Sequence, residues 1–197
     1  MKRFWAGGIG ALMALSLTGC GLAGTLATPG AQSPDGGAQA SGLFSPKLPK
    51  DRVLSADERQ GDFDRYLAIA TSEAERWSSK AVLTAAQATN VDATGGKAGG
   101  TTYVYAFASG RNGLSVTVTG NAVSFAKAKA GIPLDSRELV SGARAMAAAL
   151  GAGKLSSEGY VLLLGAATSG PVYVVREFKR EGAASVTIDA RSGAPIQ

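Results

Sequence analysis

The stretch TYVYAFASGRNGLSVTVT, residues 102–119, decides the predicted fold. Its two ends, 102–108 and 114–119, alternate apolar with small or polar residues, which is the period of a β-strand. Between them lies Gly110-Arg-Asn-Gly113, and Asn-Gly between alternating runs is a strong signal for a tight hairpin turn. This part of the chain is therefore predicted to form an antiparallel hairpin.

Three aromatic residues of the first run share one face of the predicted sheet: Tyr103, Tyr105 and Phe107. They either pack beneath a helix, as aromatic rings do in small cores, or form an exposed surface for a ligand. If they are exposed, these three residues are the first candidates for a binding patch.

The same pattern returns 70 positions later. Tyr103-Val104 is matched by Tyr173-Val174, and Ser115-Val-Thr117 is matched by Ser185-Val-Thr187. This recurrence predicts that the folded part of the chain contains one structural unit twice.

A helix is predicted at the start of each unit. The first spans 55–78, where Ser55 and Glu58 have the spacing of a capping box. Its predicted buried stripe follows at helical intervals and consists of Phe63, Leu67, Ala70, Ala74 and Trp77. The second follows Pro133, starts near 135–138 and ends at about 150, before Gly151.

Three strands are predicted after each helix, at 81–88, 102–108 and 114–119, and at 160–165, 172–178 and 185–190. The predicted fold class is α+β, with two tandem units of one helix packed on a three-stranded antiparallel sheet. The units span residues 55–132 and 133–197.

The ending Val186-Thr-Ile-Asp-Ala-Arg-Ser-Gly193 resembles the closing strand of PepSY domains. The first unit departs from that pattern, because Thr119-Gly-Asn121 stands where the Asp-Ala pair is expected. PepSY domains occur in propeptides of thermolysin-type peptidases, so the resemblance implies a helix-on-sheet fold and a role in restraining a peptidase.

The amino terminus reads as an export signal. Lys2 and Arg3 precede an apolar run from Phe4 to Leu17, which is shorter than the roughly 20 residues of a spanning helix. Its ending, Leu17-Thr-Gly-Cys20, resembles the lipobox of bacterial lipoproteins. That resemblance implies removal of residues 1–19, fatty acyl chains such as palmitate on Cys20, and a location in the cell envelope. An ordinary cleaved signal or a short uncleaved anchor are the alternatives.

A flexible tether is predicted for residues 20–54, which are rich in small and polar residues and in proline. As a random coil, about 30 such residues reach roughly 30 Å. Leu43, Phe44 and Leu48 either dock on the domain or are scattered apolar residues.

Composition excludes much chemistry. The chain has no histidine and one cysteine, so it lacks a Ser-His-Asp triad and, once Cys20 is lipidated, a free thiol. We expect no cofactor and no metal. The formal charge of +5, to which Lys2 and Arg3 contribute two, is too small to indicate nucleic-acid binding.

Three short motifs have ordinary interpretations. Ser124 and Lys127 have Ser-x-x-Lys spacing but lack the partner motifs of penicillin-recognising enzymes. Gly95-Gly-Lys97 lacks the remaining residues of a phosphate loop. The cluster of Arg176, Lys179 and Arg180 either contacts acidic headgroups or an acidic partner, or is a solvated hairpin edge.

The sequence thus predicts a membrane-anchored, non-catalytic envelope protein that binds or regulates another protein. The expected partners are the membrane, through the lipid, and a secreted peptidase or another envelope protein. The alternative is a structural subunit of an envelope assembly with no peptidase connection.

Overall fold

A computed structural model describes residues 46–136, 138–155, 158–178 and 183–196. This part of the chain contains nine strands, two α-helices and one 3-10 turn. In chain order they are β1 (Arg52–Val53), the 3-10 turn (Glu58–Gln60), α1 (Phe63–Trp77), β2 (Val82–Val91), β3 (Lys97–Ser109), β4 (Asn112–Thr119), β5 (Ala122–Lys129), α2 (Gly142–Gly151), β6 (Tyr160–Ala167), β7 (Gly170–Glu177), β8 (Ser185–Asp189) and β9 (Pro195–Ile196).

All nine strands of the described chain form one antiparallel sheet. Its order is β1-β5-β4-β3-β2-β6-β7-β8-β9. Each edge is a strand of two residues, and short edge strands discourage pairing with other chains.

The pairing of β2 with β6 joins the two predicted units. At one level of the sheet Tyr105 pairs with Ala86, Ala86 with Leu164, and Leu164 with Tyr173. This row crosses the join without a break. Neither β2 nor β6 contains a charged residue, so both are suited to the centre of a sheet.

The prediction of two tandem units, each with its own three-stranded sheet, is therefore wrong. All six predicted strands exist, but they belong to one sheet, together with β1, β5 and β9, which were not predicted. β1 lies inside the range predicted as tether, and residues 1–45, including the predicted signal, lie outside the described residues.

Both helices cover the same face of the sheet. α1 packs on β2, β3 and β4, α2 packs on β7 and β8, and the helices touch each other. The buried face of α1 carries Phe63, Tyr66, Ala70, Ala74 and Trp77. The core lies between these helices and the sheet. The predicted stripe of α1 is confirmed at four of its five residues, but Leu67 is only partly buried and Tyr66, which was not predicted, is fully buried.

The helix starts differ from the predicted ones. Ser55 and Glu58 do interact, with the Ser55 amide donating to Glu58 Oε2 at 2.8 Å, but they close only the 3-10 turn. α1 begins after Asp62, whose carboxylate accepts from the Arg65 amide, and α2 begins after Ser141, which accepts from the Arg144 amide. Asp62 and Ser141 are therefore the N-cap residues, because their side-chain oxygens accept hydrogen bonds from free amides of the first helical turn.

The opposite face of the sheet carries no helix in the described chain. Its side chains are mostly small or uncharged, among them Gln87, Val104, Thr117 and Val174, with Arg176 as an exposed charge. Strand alternation places these residues opposite the core-facing row.

Candidate functional site

A pocket of about 110 Å³ opens where α1 ends. Trp77, the last residue of α1, forms one wall and is only 8% exposed. The incoming chain at Pro46 and Leu48 forms another, and the Trp77 indole donates a hydrogen bond to the Pro46 carbonyl at 3.4 Å. Leu48 also packs against the core, so this residue docks on the domain. Leu43 and Phe44 lie outside the described residues.

The turn between β3 and β4 and the strands β4 and β5 form the remaining wall of the pocket. Its residues are Arg111 in the turn, Asn112 and Gly113 on β4, and Lys127 and Ala128 on β5. Gly113 makes this wall possible. A Cβ on Gly113 would lie 2.4 Å from the Ala128 carbonyl oxygen, so a larger residue would push β4 away from β5.

The pocket is cationic. Arg111 and Lys127 are both exposed, and neither forms an ion pair with an acidic group in the part of the chain that the structure describes. Lys127 lies on the helix side of β5, because it pairs with the buried Leu114. Two unpaired cations beside an apolar wall suit an anionic group on an amphipathic ligand.

An ion-pair network fixes the chain just after the pocket. Arg52 on β1 donates to both carboxylate oxygens of Glu58, at 2.8 and 2.9 Å, and to Glu73 on α1 at 2.8 Å. Arg76 also donates to the largely buried Glu73. The incoming segment is thus held to the helix that carries Trp77.

The pairing of Arg52 with Glu58 shifts the pKa of both groups. The hydrogen bonds from Arg52 lower the pKa of Glu58 to about 2, with help from the Ser55 amide. The Glu58 hydrogen bond in turn raises the pKa of Arg52. Both groups are therefore charged at neutral pH, and the lowered pKa makes Glu58 a weak base.

The aromatic row is buried. Tyr103 and Tyr105 have no exposed surface and Phe107 is 2% exposed, so the structure places all three in the core and not on a ligand surface. Tyr105 donates to the Phe63 carbonyl at 2.7 Å. Loss of solvent raises the pKa of Tyr103 and of Tyr105. The Tyr103 hydroxyl has no hydrogen-bond partner among the described residues.

The remaining predicted site residues do not come together at the pocket. Arg176 lies on β7, on the sheet face away from the helices and in the other half of the sheet. Lys179, Arg180 and Cys20, the predicted site of lipidation, lie outside the described residues.

The two other short motifs form no catalytic site in the structure. Ser124 and Lys127 are three positions apart on β5, so their side chains project from opposite faces of the sheet. Lys97 donates to the Arg59 carbonyl at 2.7 Å and lies 5.0 Å from the centre of the Tyr66 ring. The Lys97 ammonium group therefore contacts the protein itself, through the Arg59 carbonyl and the Tyr66 ring.

Sequence reasoning missed the pocket, although it noted most of its parts separately. Trp77 was assigned to the helix stripe, Arg111 to a turn and Lys127 to a chance motif. The missed signal is the alternation of Val123, Phe125, Lys127 and Lys129, which is the period of a β-strand that ends in two cations.

Two further properties of the described residues bear on function. No three carboxylate, histidine or cysteine side chains lie close enough together there to bind a metal ion. Neither α1 nor α2, the two α-helices of the described residues, is long and apolar enough to cross a membrane.

Comparison with known proteins shows a likeness of fold. No family model matches the chain, so the PepSY resemblance gains no support, and no curated protein matches it. The structure is similar to the crystal structure of a "putative lipoprotein" from Clostridium difficile 630, with a TM-score of 0.53 and 10% sequence identity. The match covers 70% of this chain and 91% of that one.

Proposed function

We propose that this chain is an exported lipoprotein of the cell envelope, held to a membrane through lipid on Cys20. Its folded domain acts by binding and not by catalysis. The observation that carries the proposal is the amino-terminal pattern, in which a basic start and an apolar run end in Leu17-Thr-Gly-Cys20. The similarity in fold to a protein described as a lipoprotein agrees with it.

The order of the chain suits this role. The residues between Cys20 and Pro46 are rich in glycine, alanine, serine and proline, which is typical of a spacer between a lipid and a domain. The domain then begins with a segment that is clamped to α1 by Arg52.

A binding role is supported by how the reactive side chains are used. Glu58 and Glu73 are bound by arginines, the core tyrosines lack solvent, and Ser124 and Lys127 face apart. The partner class we propose is another envelope protein. Restraint of a peptidase depended on the PepSY resemblance, which neither the single sheet nor a family model supports.

Lipid attachment is tested by expressing the full chain in bacteria and analysing the mature amino terminus by mass spectrometry. We expect a chain that begins at Cys20 and carries acyl groups, and that partitions into detergent. The Cys20→Ala variant should lack the acyl mass and leave the detergent phase. An unmodified Cys20 in the wild-type chain would contradict the proposal.

Partner binding is tested by cross-linking intact cells and identifying the proteins attached to the tagged chain. Recovery of one envelope protein at constant stoichiometry would support a binding role. Turnover of a simple ester by the purified chain, abolished by Ser124→Ala, would overturn the non-catalytic assignment.

A further inference from the structure

Cations gather at the end of the sheet where the tether enters the domain. The connection after α1, the turn between β3 and β4 and the last residues of β5 all lie at this end, because Asn112 pairs with both Ser109 and Lys129 and Val82 pairs with Ala108. We call it the basic end and define it by Lys80, Arg111, Lys127 and Lys129 with the apolar Val82 and Ile132.

The four cations of the basic end are exposed and form no ion pair with an acidic group within the described ranges. At the other end of the same strands, cations hydrogen-bond to backbone carbonyls of the protein itself. There Lys97 donates to the Arg59 carbonyl, and Arg65 donates to the Asp57 carbonyl at 2.6 Å. The charge of the basic end is therefore available to an outside partner.

Two large apolar side chains accompany this charge. Ile132 is 72% exposed and Val82 is 41% exposed, and the chain from Gly131 to Leu134 runs beside the start of β2. Apolar side chains among lysines and arginines are the composition of surfaces that lie in the headgroup layer of a membrane.

The position of the tether indicates which partner covers this end. Pro46, where the described domain begins, lines the Trp77 pocket together with Arg111 and Lys127. The sequence predicts a flexible tether for residues 20–54, and about 30 such residues reach roughly 30 Å as a random coil, so a lipid on Cys20 would keep the basic end close to the bilayer.

We propose that the basic end docks on the anionic phospholipid headgroups of the membrane that holds the lipid anchor. Arg111 and Lys127 contact headgroup phosphates at the pocket, and Ile132 and Val82 enter the headgroup layer. The domain then stands with the turn at Gly120-Asn121 pointing away from the membrane, since β4 and β5 run from the basic end to that turn. This inference rests on the proposed lipid anchor and adds an orientation to it.

The test uses the full lipidated chain on vesicles of phosphatidylcholine with and without phosphatidylglycerol. Cys20 is the sole cysteine, so Ile132→Cys supplies one free thiol for a polarity-sensitive dye. Asn121→Cys, at the opposite end, is the matched control. We expect a blue shift of the dye at position 132 on phosphatidylglycerol vesicles, reversed by high salt, and none at position 121.

Charge removal gives a second measurement. Each lysine or arginine near an anionic surface contributes about a five-fold preference for the docked state, so R111Q, K127Q and K129Q together should lower the docked-to-undocked ratio roughly 100-fold. A control that neutralises the exposed Lys154 and Arg176, which lie outside the basic end, should leave the dye shift unchanged.

The outcomes separate the anchor from the docking. A lipidated chain that floats with the vesicles while both dyes report water would overturn the docking and leave the anchor standing. An equal shift on both vesicle types, or a shift that survives the triple substitution, would overturn headgroup recognition. A chain that does not float contradicts the anchor and removes the basis of the docking with it.

Discussion

The two halves of the sheet are built alike but are held in different ways. In the half under α1, the edge strand β1 is clamped by Arg52, which bridges Glu58 and the largely buried Glu73. In the half under α2, the edge strand β9 follows a turn in which Asp189 accepts from the Arg191 and Ser192 amides. The two halves nevertheless do not form separate domains. The uncharged strands β2 and β6 pair directly and join both halves into one sheet.

The helices connect the halves above the sheet. Phe63 of α1 has its ring 5.7 Å from that of Tyr105 in the first half and 6.2 Å from that of Tyr173 in the second. Asp64 accepts a hydrogen bond from the Gly142 amide at 2.8 Å, so α1 caps α2. The comparison of the halves is best tested at these two residues.

The largest effect is expected for Phe63→Ala. Removal of a buried aromatic ring leaves a cavity, and we expect the free energy of unfolding to fall by about 3–5 kcal/mol. Because Phe63 touches Tyr105 on β3 and Tyr173 on β7, amide hydrogen exchange should accelerate in both of these strands. Denaturant unfolding and hydrogen exchange check this.

Val116→Ala is the control, since Val116 is buried in the first half alone. If the halves form one cooperative unit, Val116→Ala should also lower the denaturant midpoint of both halves together, by a smaller amount than Phe63→Ala. Faster exchange confined to β3, β4 and β5 in either variant would show that the halves unfold separately.

A smaller effect is expected for Asp64→Ala. The loss of a carboxylate that caps a helix costs about 1 kcal/mol, and here the freed amides belong to α2 in the other half. Exchange of the first amides of α2 should therefore increase although the substitution is in α1.

The matched variant is Asp62→Ala, because Asp62 caps α1 itself through the Arg65 amide. It should cost a similar free energy but expose the first turn of α1. Identical exchange patterns in the two variants would contradict a cap that links the halves.

The smallest effect is the pH dependence of the Arg52–Glu58 pair. The pKa of Glu58 is lowered to about 2 from its ordinary 4.5, so the pair stabilises the fold fully above pH 4.5. That stability disappears as the pH falls from 4.5 towards 2. For a partly exposed pair we expect about 0.5–1 kcal/mol.

Melting temperatures of wild type and Glu58→Gln should differ at pH 7 and converge near pH 2. Arg191→Gln, in the second half, is the control, since Arg191 meets Asp135 at 3.9 Å with both side chains about half exposed. A pH-independent gap for Glu58→Gln would contradict the ion pair.

Much of the local structure could be predicted from the sequence. The alternation of 102–108 and 114–119 and the Asn112-Gly113 turn predicted the β3–β4 hairpin, and the structure has it. The predicted stripe ending at Trp77 was also correct, except that Tyr66 is buried where Leu67 was predicted. These features follow from side-chain period and turn chemistry within a few residues, which are local properties.

The errors came from contacts distant in sequence. β5 was missed, although Val123, Phe125, Lys127 and Lys129 alternate along it. The number of sheets was wrong because a strand's period defines its two faces but not its neighbours. The uncharged character of β2 and β6 was the available sign that neither is an edge.

The sequence by itself determined the local strands and turns and the lack of histidine chemistry, and it contains the amino-terminal pattern ending at Cys20 on which the proposed export depends. Only the tertiary structure decided that β2 pairs with β6, that one face of the sheet holds both helices, and that Pro46, Trp77, Arg111 and Lys127 meet. The physical reason is range: backbone and turn preferences act between neighbours, whereas strand pairing and helix docking depend on which surfaces remain to be buried once the local elements exist.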